Sequence, residues 1–77
     1  MAKLTDISRR RFEKFIVQVG CVRERTAGGH IIYSRPGLSR PIIIQSDSEV
    51  PRFIIKSNLR TLGIETKEYL SVIATIK

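Results

Sequence analysis

The sequence predicts an α+β fold in which helices pack on one face of a three-stranded antiparallel sheet, in the order α-β-β-β-α-α. Three observations predict it. Phe12, Phe15, Ile16 and Val19 fall at i, i+3, i+4 and i+7, the spacing of one buried helix face. Gly28-Gly29 and Pro36-Gly37 then divide the next stretch into runs of strand length. Helical spacing resumes at Phe53, Ile54, Leu59 and Leu62, and again at Tyr69, Leu70 and Ile73. No repeat, linker or low-complexity tract interrupts this order, so residues 1–77 read as one domain. A chain of this length buries only about 60% of its unfolded surface and has no room for two cores.

Ser8 is a good N-cap for the first helix, and Gly20 closes it as a C′ residue. Arg9, Arg10 and Arg11 occupy the first turn, where each cation opposes the helix dipole by about 0.3–1 kcal/mol. Either they surround an anion that also meets the free N–H groups, or they form a solvated basic face. The alternation from Cys21 to Thr26 puts Arg23 and Arg25 on one face and Val22, Glu24 and Thr26 on the other, as an exposed edge strand. Gly28-Gly29 makes the turn into a second strand over 30–34. A loop at 35–39 leads to a third strand from Pro41 to Gln45, which holds the apolar run Ile42-Ile43-Ile44. Residues 45–51 are polar and read as loop. Gly63 closes the second helix, and a last helix over 66–74 buries Tyr69, Leu70 and Ile73.

Fourteen Lys and Arg stand against seven Asp and Glu, a net charge of +7. So large a charge on so small a body attracts polyanions, of which nucleic acid is the commonest, although an acidic protein remains open. Nine of the fourteen are Arg, whose planar fork suits phosphate. No apolar run approaches the roughly 18 residues that span a bilayer, so no membrane partner is expected. The opening Met1-Ala2-Lys3-Leu4 carries no apolar signal stretch, and a cytoplasmic location is expected. Cys21 is the only cysteine, which excludes an internal disulfide, and its setting between Gly20 and Val22 suits a small core hydrophobe. With one His and one Cys, neither a metal site nor a cofactor is expected.

His30 is the only histidine, and it follows a glycine pair at the mouth of a strand. Histidine takes and gives a proton near neutral pH, and the glycines let the backbone approach a ligand closely. The alternative is an exposed strand end without chemistry.

The segment Gly28-Gly29-His30-Ile31-Ile32-Tyr33 resembles the Gly-Ser-His, aliphatic and Tyr pattern of the HicA, or YcfA-like, family of toxin ribonucleases. Leu4 to Ser8 is similar to that family's lead-in and N-cap, Gly20-Cys21 to its Gly-Phe, and Arg25 to its basic first strand. Asn58-Leu59-Arg60-Thr61-Leu62-Gly63-Ile64 and Glu68-Tyr69-Leu70 resemble its Leu-Arg-x-Ile, Gly-Ile/Leu and Glu-Phe-Leu signatures. The resemblance covers nearly the whole chain, and it departs at four places. Gly29 replaces a serine, Ala27 stands where lysine is common, Cys21 takes the place of Phe, and Gln45-Ser46-Asp47 replaces a Pro-x-His segment that commonly offers a second histidine.

The resemblance implies a double-stranded-RNA-binding-domain-like fold, metal-independent endoribonuclease activity on mRNA with His30 as the catalytic base, and neutralisation by a HicB-like antitoxin. Arg9, Arg10, Arg11, Arg23, Arg25 and Lys56 are then the candidate RNA-binding residues, with Gly28 and Gly29 forming the backbone of the active turn. Arg23, Arg25, Lys56 and Tyr33 are the candidates to stabilise developing phosphorane charge. Two other readings stay open: a non-catalytic RNA-binding module of the same fold, and a vestigial toxin that serves only a protein partner.

Overall fold

The computed structural model describes residues 3–77, so the sequence reading of Met1-Ala2 lies outside the described residues. β1 (Ile7–Ser8) leads directly into α1 (Arg9–Gln18). β2 (Val22–Ala27), β3 (His30–Ser34) and β4 (Ile42–Gln45) form an antiparallel sheet in that order, with β3 central. β5 (Glu49–Val50) precedes α2 (Arg52–Leu62) and α3 (Thr66–Ile73). The chain is thus α+β, with the expected three helices and three-stranded sheet.

Two short strands were absent from the sequence reading. β1 and β5 pair antiparallel, Ile7 with Val50 and Ser8 with Glu49, and the Arg9 N–H donates to the Ser48 carbonyl at 2.8 Å. The segment read as loop therefore contains a two-residue strand. Two residues are too few to show a period of two, and their partner lies far away in sequence.

α1 is held inward by the spacing that predicted it: Phe12, Phe15 and Ile16 are fully buried, and Val19 packs at the margin. Tyr69 of α3 meets Phe15 edge-on, with ring centres 4.9 Å apart at 88°, and this T-shaped geometry places a ring edge on the negative ring face. Ile31, Tyr33, Ile42 and Ile44 from the sheet and Ile55, Leu59 and Leu62 from α2 complete the core. The buried stripe of α2 is therefore phased on Ile55, Leu59 and Leu62. Phe53, which the spacing had grouped with the apolar face, lies two residues from Ile55 and points outward, 69% exposed.

A hydroxyl, a glycine and a guanidinium close the helix ends. Ser8 caps α1, its hydroxyl accepting from the Arg11 N–H at 3.3 Å. At the other end Gly20 N–H bonds to the Val17 carbonyl and Cys21 N–H to that of Ile16, a Schellman closure that needs the positive φ of Gly20, 100°. Arg35, from the loop after β3, donates to Val19 O at 3.0 Å and Leu62 O at 3.2 Å, so one guanidinium serves the C-terminal ends of α1 and α2.

The sheet has one face against the helices and one free of them. Residues directly opposite each other in a ladder share a face, so Ile31, Tyr33, Ile42 and Ile44 turn inward, and His30, Ile32, Ile43 and Gln45 turn outward. β2 carries a bulge between Arg23 and Arg25. Arg23 opposes inward Tyr33 while Arg25 opposes outward Ile32, so the two arginines lie on opposite faces. This corrects the simple alternation read from the sequence, which put them together. The extra residue, Glu24, resets the period by one.

Gly28 and Gly29 have φ of 57° and 80°, the pair of positive values a two-residue type I′ hairpin turn requires. A Cβ on Gly29 would meet only Ser46 Oγ, at an ordinary 3.8 Å, so any cost there is conformational. Gly29→Ser is expected to lower stability by about 1–2 kcal/mol. Gly28→Asn, a residue that tolerates this conformation, should cost far less. Urea denaturation midpoints compare the two, and equal stability of wild type and Gly29→Ser would refute the turn assignment.

Candidate functional site

The hairpin turn sets His30 at the first position of β3, exposed, on the helix-free face. Ala27 stands opposite it on β2 and Gln45 on β4. The Ser46 N–H donates to the Gly29 carbonyl at 2.9 Å, tying the turn to the segment after β4. Arg9 then reaches across from α1, Nη1 donating to the Ser46 carbonyl and Nε to Glu13 Oε2 at 3.1 Å. The other Glu13 oxygen accepts from the Tyr33 hydroxyl. A continuous line of hydrogen bonds therefore runs from a buried phenol, through a carboxylate and a guanidinium, to the backbone beside His30.

Burial pushes the Tyr33 phenol above the ordinary tyrosine value, and the hydrogen bond to Glu13 and the charge of that carboxylate push it further, against the pull of Arg23 and Arg9. Tyr33 is thus held as a neutral donor under the sheet. Cys21 is buried, which raises its thiol despite the nearby Arg35 charge, and makes it the small core hydrophobe its setting indicated.

The structure distributes the sequence-predicted cations rather than gathering them. Successive residues of a helix project about 100° apart, so Arg9, Arg10 and Arg11 diverge. Arg9 is engaged with Glu13 and Ser46, and Arg10 is exposed. Arg11 turns toward the end of α3 and donates to Ile73 O at 2.9 Å and Ile76 O at 3.1 Å, a contribution to the fold. Arg23 donates to Thr26 Oγ1 at 2.7 Å on the inward face. Arg25 shares the outward face with His30, as its diagonal cross-strand neighbour. Lys56 lines a cleft between α2 and α3, among residues none of which belongs to the His30 turn.

Sequence reasoning gave Glu13 no role, and it noted Gln45 and Ser46 only as a departure from a Pro-x-His segment, without a part in the site. Glu13 left one local signal, its i+4 spacing from Arg9, which forms the one ion pair among the described residues. Among the described residues no group of three or more His, Cys, Asp or Glu is arranged to hold a metal ion. No helix among them is long and apolar enough to cross a membrane.

Helices on one side of a hairpin-led sheet, with a lone imidazole on the rim of its open side, define a class of small basic α+β proteins in which one sheet face is left uncovered. Within that class the family can be given. The sequence model of the HicA toxin of bacterial toxin–antitoxin systems matches residues 9–64, the greater part of the 77-residue chain, and the protein belongs to that family. No curated protein and no solved structure matches the chain.

Two expectations follow from the side-chain partners. Arg11→Ala should lower stability by about 1–3 kcal/mol, because the carbonyl at the end of α3 and that of Ile76 just beyond it lose a charged donor. Arg10→Ala should stay within about 0.5 kcal/mol of wild type in the same urea titration. The second concerns alkaline pH. Tyr33 holds its proton more tightly when folded, so the stability tied to that proton is complete below about pH 10, the unfolded value. It is lost above that, as the unfolded chain releases a proton the folded one keeps. Tyr33→Phe should flatten this alkaline fall, and an unchanged slope would contradict the assignment.

Proposed function

We propose that the protein is a toxin that cleaves RNA, mRNA in the cell, as a metal-independent endoribonuclease, with His30 as general base. The observation that carries this reading is the position of His30: the only imidazole of the chain stands exposed on the open sheet face, behind a glycine turn braced by Arg9 and Ser46. RNA brings its own nucleophile, so one positioned base can supply about 10²–10⁴-fold. His30 takes the 2′-OH proton, O2′ bonds to phosphorus and the P–O5′ bond breaks. The departing O5′ takes a proton from water, and the imidazolium returns its proton to the resulting hydroxide.

The bulge supports one arginine over the other as the assisting cation. Diagonal neighbours across an antiparallel pair lie about 7–8 Å apart, within reach of a long side chain. Arg25 holds that place beside His30, while Arg23 and Tyr33 are turned to the other face. Arg25 therefore stabilises the phosphorane charge, and Gln45, directly opposite His30, can donate to a phosphate oxygen. Arg10 supplies longer-range attraction. A HicB-like antitoxin that covers the open face is the protein partner this reading implies, and the net charge of +7 calls for an acidic surface on it.

A gel assay of a mixed mRNA substrate in EDTA tests the proposal. His30→Ala should abolish cleavage and toxicity while leaving RNA affinity within a few-fold, since arginines govern binding. Arg25→Ala should slow cleavage by about 10²-fold or more and also weaken binding. RNA binding with no His30-dependent cleavage would leave a non-catalytic binding module. Failure of the wild type to bind RNA would remove nucleic acid as the ligand.

A further inference from the structure

Phe53 has no role in the core: it projects from the first turn of α2, 69% exposed. Lys56 and Arg60 follow it at i+3 and i+7 on the exposed side of that helix, so an aromatic ring and two cations form one stripe about 10 Å long. Across from it, the loop before β4 brings up Arg40. A hollow of about 290 Å³ lies between, lined by Ser39, Arg40, Ser57, Arg60 and Thr61. The Ser39 and Ser57 hydroxyls and the two guanidinium groups can donate to phosphate oxygen, while the Thr61 hydroxyl donates to the Ser57 carbonyl at 3.3 Å. Arg60 and Lys56 also border a second hollow of about 400 Å³. Glu65 and Lys67 share that second hollow, but Glu65 makes no ion pair with Arg60 or Lys56, the one ion pair among the described residues being Arg9–Glu13.

We infer that this stripe is a second nucleic-acid contact, separate from the His30 turn, which holds an unpaired stretch of the RNA: Phe53 stacks on a base while Arg40, Lys56 and Arg60 hold the adjoining phosphates. The inference rests on RNA as the ligand of the protein and names its form at this surface. A ring flanked by cations suits a single strand because every base offers a π-face once it is unstacked, whereas the bases of a duplex cover one another. The polar lining of the hollow favours phosphate over an apolar protein segment.

Fluorescence anisotropy with the full chain tests this, using a 2′-O-methyl RNA strand of about 12 nucleotides, which the enzyme cannot cut and which lies within the usual site sizes. Phe53→Ala should weaken that strand roughly five- to 150-fold, the equivalent of about 1–3 kcal/mol per stacked base, and leave a duplex of the same sequence unchanged. Phe53→Trp should restore the affinity. Arg40→Gln combined with Arg60→Gln should lower the log–log salt slope by about 1.4, or 0.7 per single-strand contact. The exposure of Phe53 and the better helix propensity of Ala argue that the variant folds, and circular dichroism checks it. Wild-type affinity in Phe53→Ala, or equal weakening of strand and duplex, would overturn the inference while leaving the ribonuclease reading intact. If the wild type binds neither nucleic acid, both fall. If these variants lose only an acidic protein partner, the stripe is a protein-docking surface instead.

Discussion

The carbonyl groups at the C-terminal ends of the helices must find donors, and in so small a body few elements are free to supply them. Two arginines do so. Arg35 joins the ends of α1 and α2, and Arg11 reaches the end of α3. Each cation sits at the negative end of a helix dipole, where it is favoured, so these contacts fix the helices to one another and to the loop that leaves β3. One face of the sheet is then left uncovered. The arrangement also divides the charge of the chain into two populations, arginines bound to backbone inside the fold and arginines directed outward. A net charge of +7 therefore overstates what a polyanion meets at any one place.

What the sequence made legible was local. The N-cap hydroxyl, the Schellman glycine and the 3.6-residue stripe all act within one or two turns, and α1 carries all three. The hairpin turn was legible for the same reason, since a glycine pair between strands leaves few alternatives. What depends on distant partners was not. β1 and β5 have two residues each and exist only because the chain brings them together. The bulge at Glu24 was also hidden, because an inserted residue alters which side chains share a face without altering the composition of the strand.

The site shows the same division. His30 stood out because it is the only histidine and follows two glycines. Its surroundings come from three separate parts of the chain, Arg9 and Glu13 on α1, Gln45 and Ser46 at and just after the end of β4, and Tyr33 beneath the sheet. Arg9 and Glu13 mark each other by their i+4 spacing, and Tyr33 lies on the same strand as His30, but nothing local links α1 to Gln45 and Ser46. The basic run Arg9-Arg10-Arg11, which looks like one feature in the sequence, is three residues with three different surroundings, because a helix turns each one away from the next.

β2 is an edge strand with all six side chains exposed, and such an edge is a template on which a second copy of the chain could pair. Its sequence opposes this. In a two-fold antiparallel pairing centred on Glu24, Glu24 would face Glu24 and Arg23 would face Arg25, so each of these pairs sets like charges against each other. The bulge further interrupts the row of backbone donors and acceptors that an incoming strand would need. The same irregularity that places one arginine beside His30 thus protects the hairpin from strand-to-strand self-association and the aggregation that follows from it.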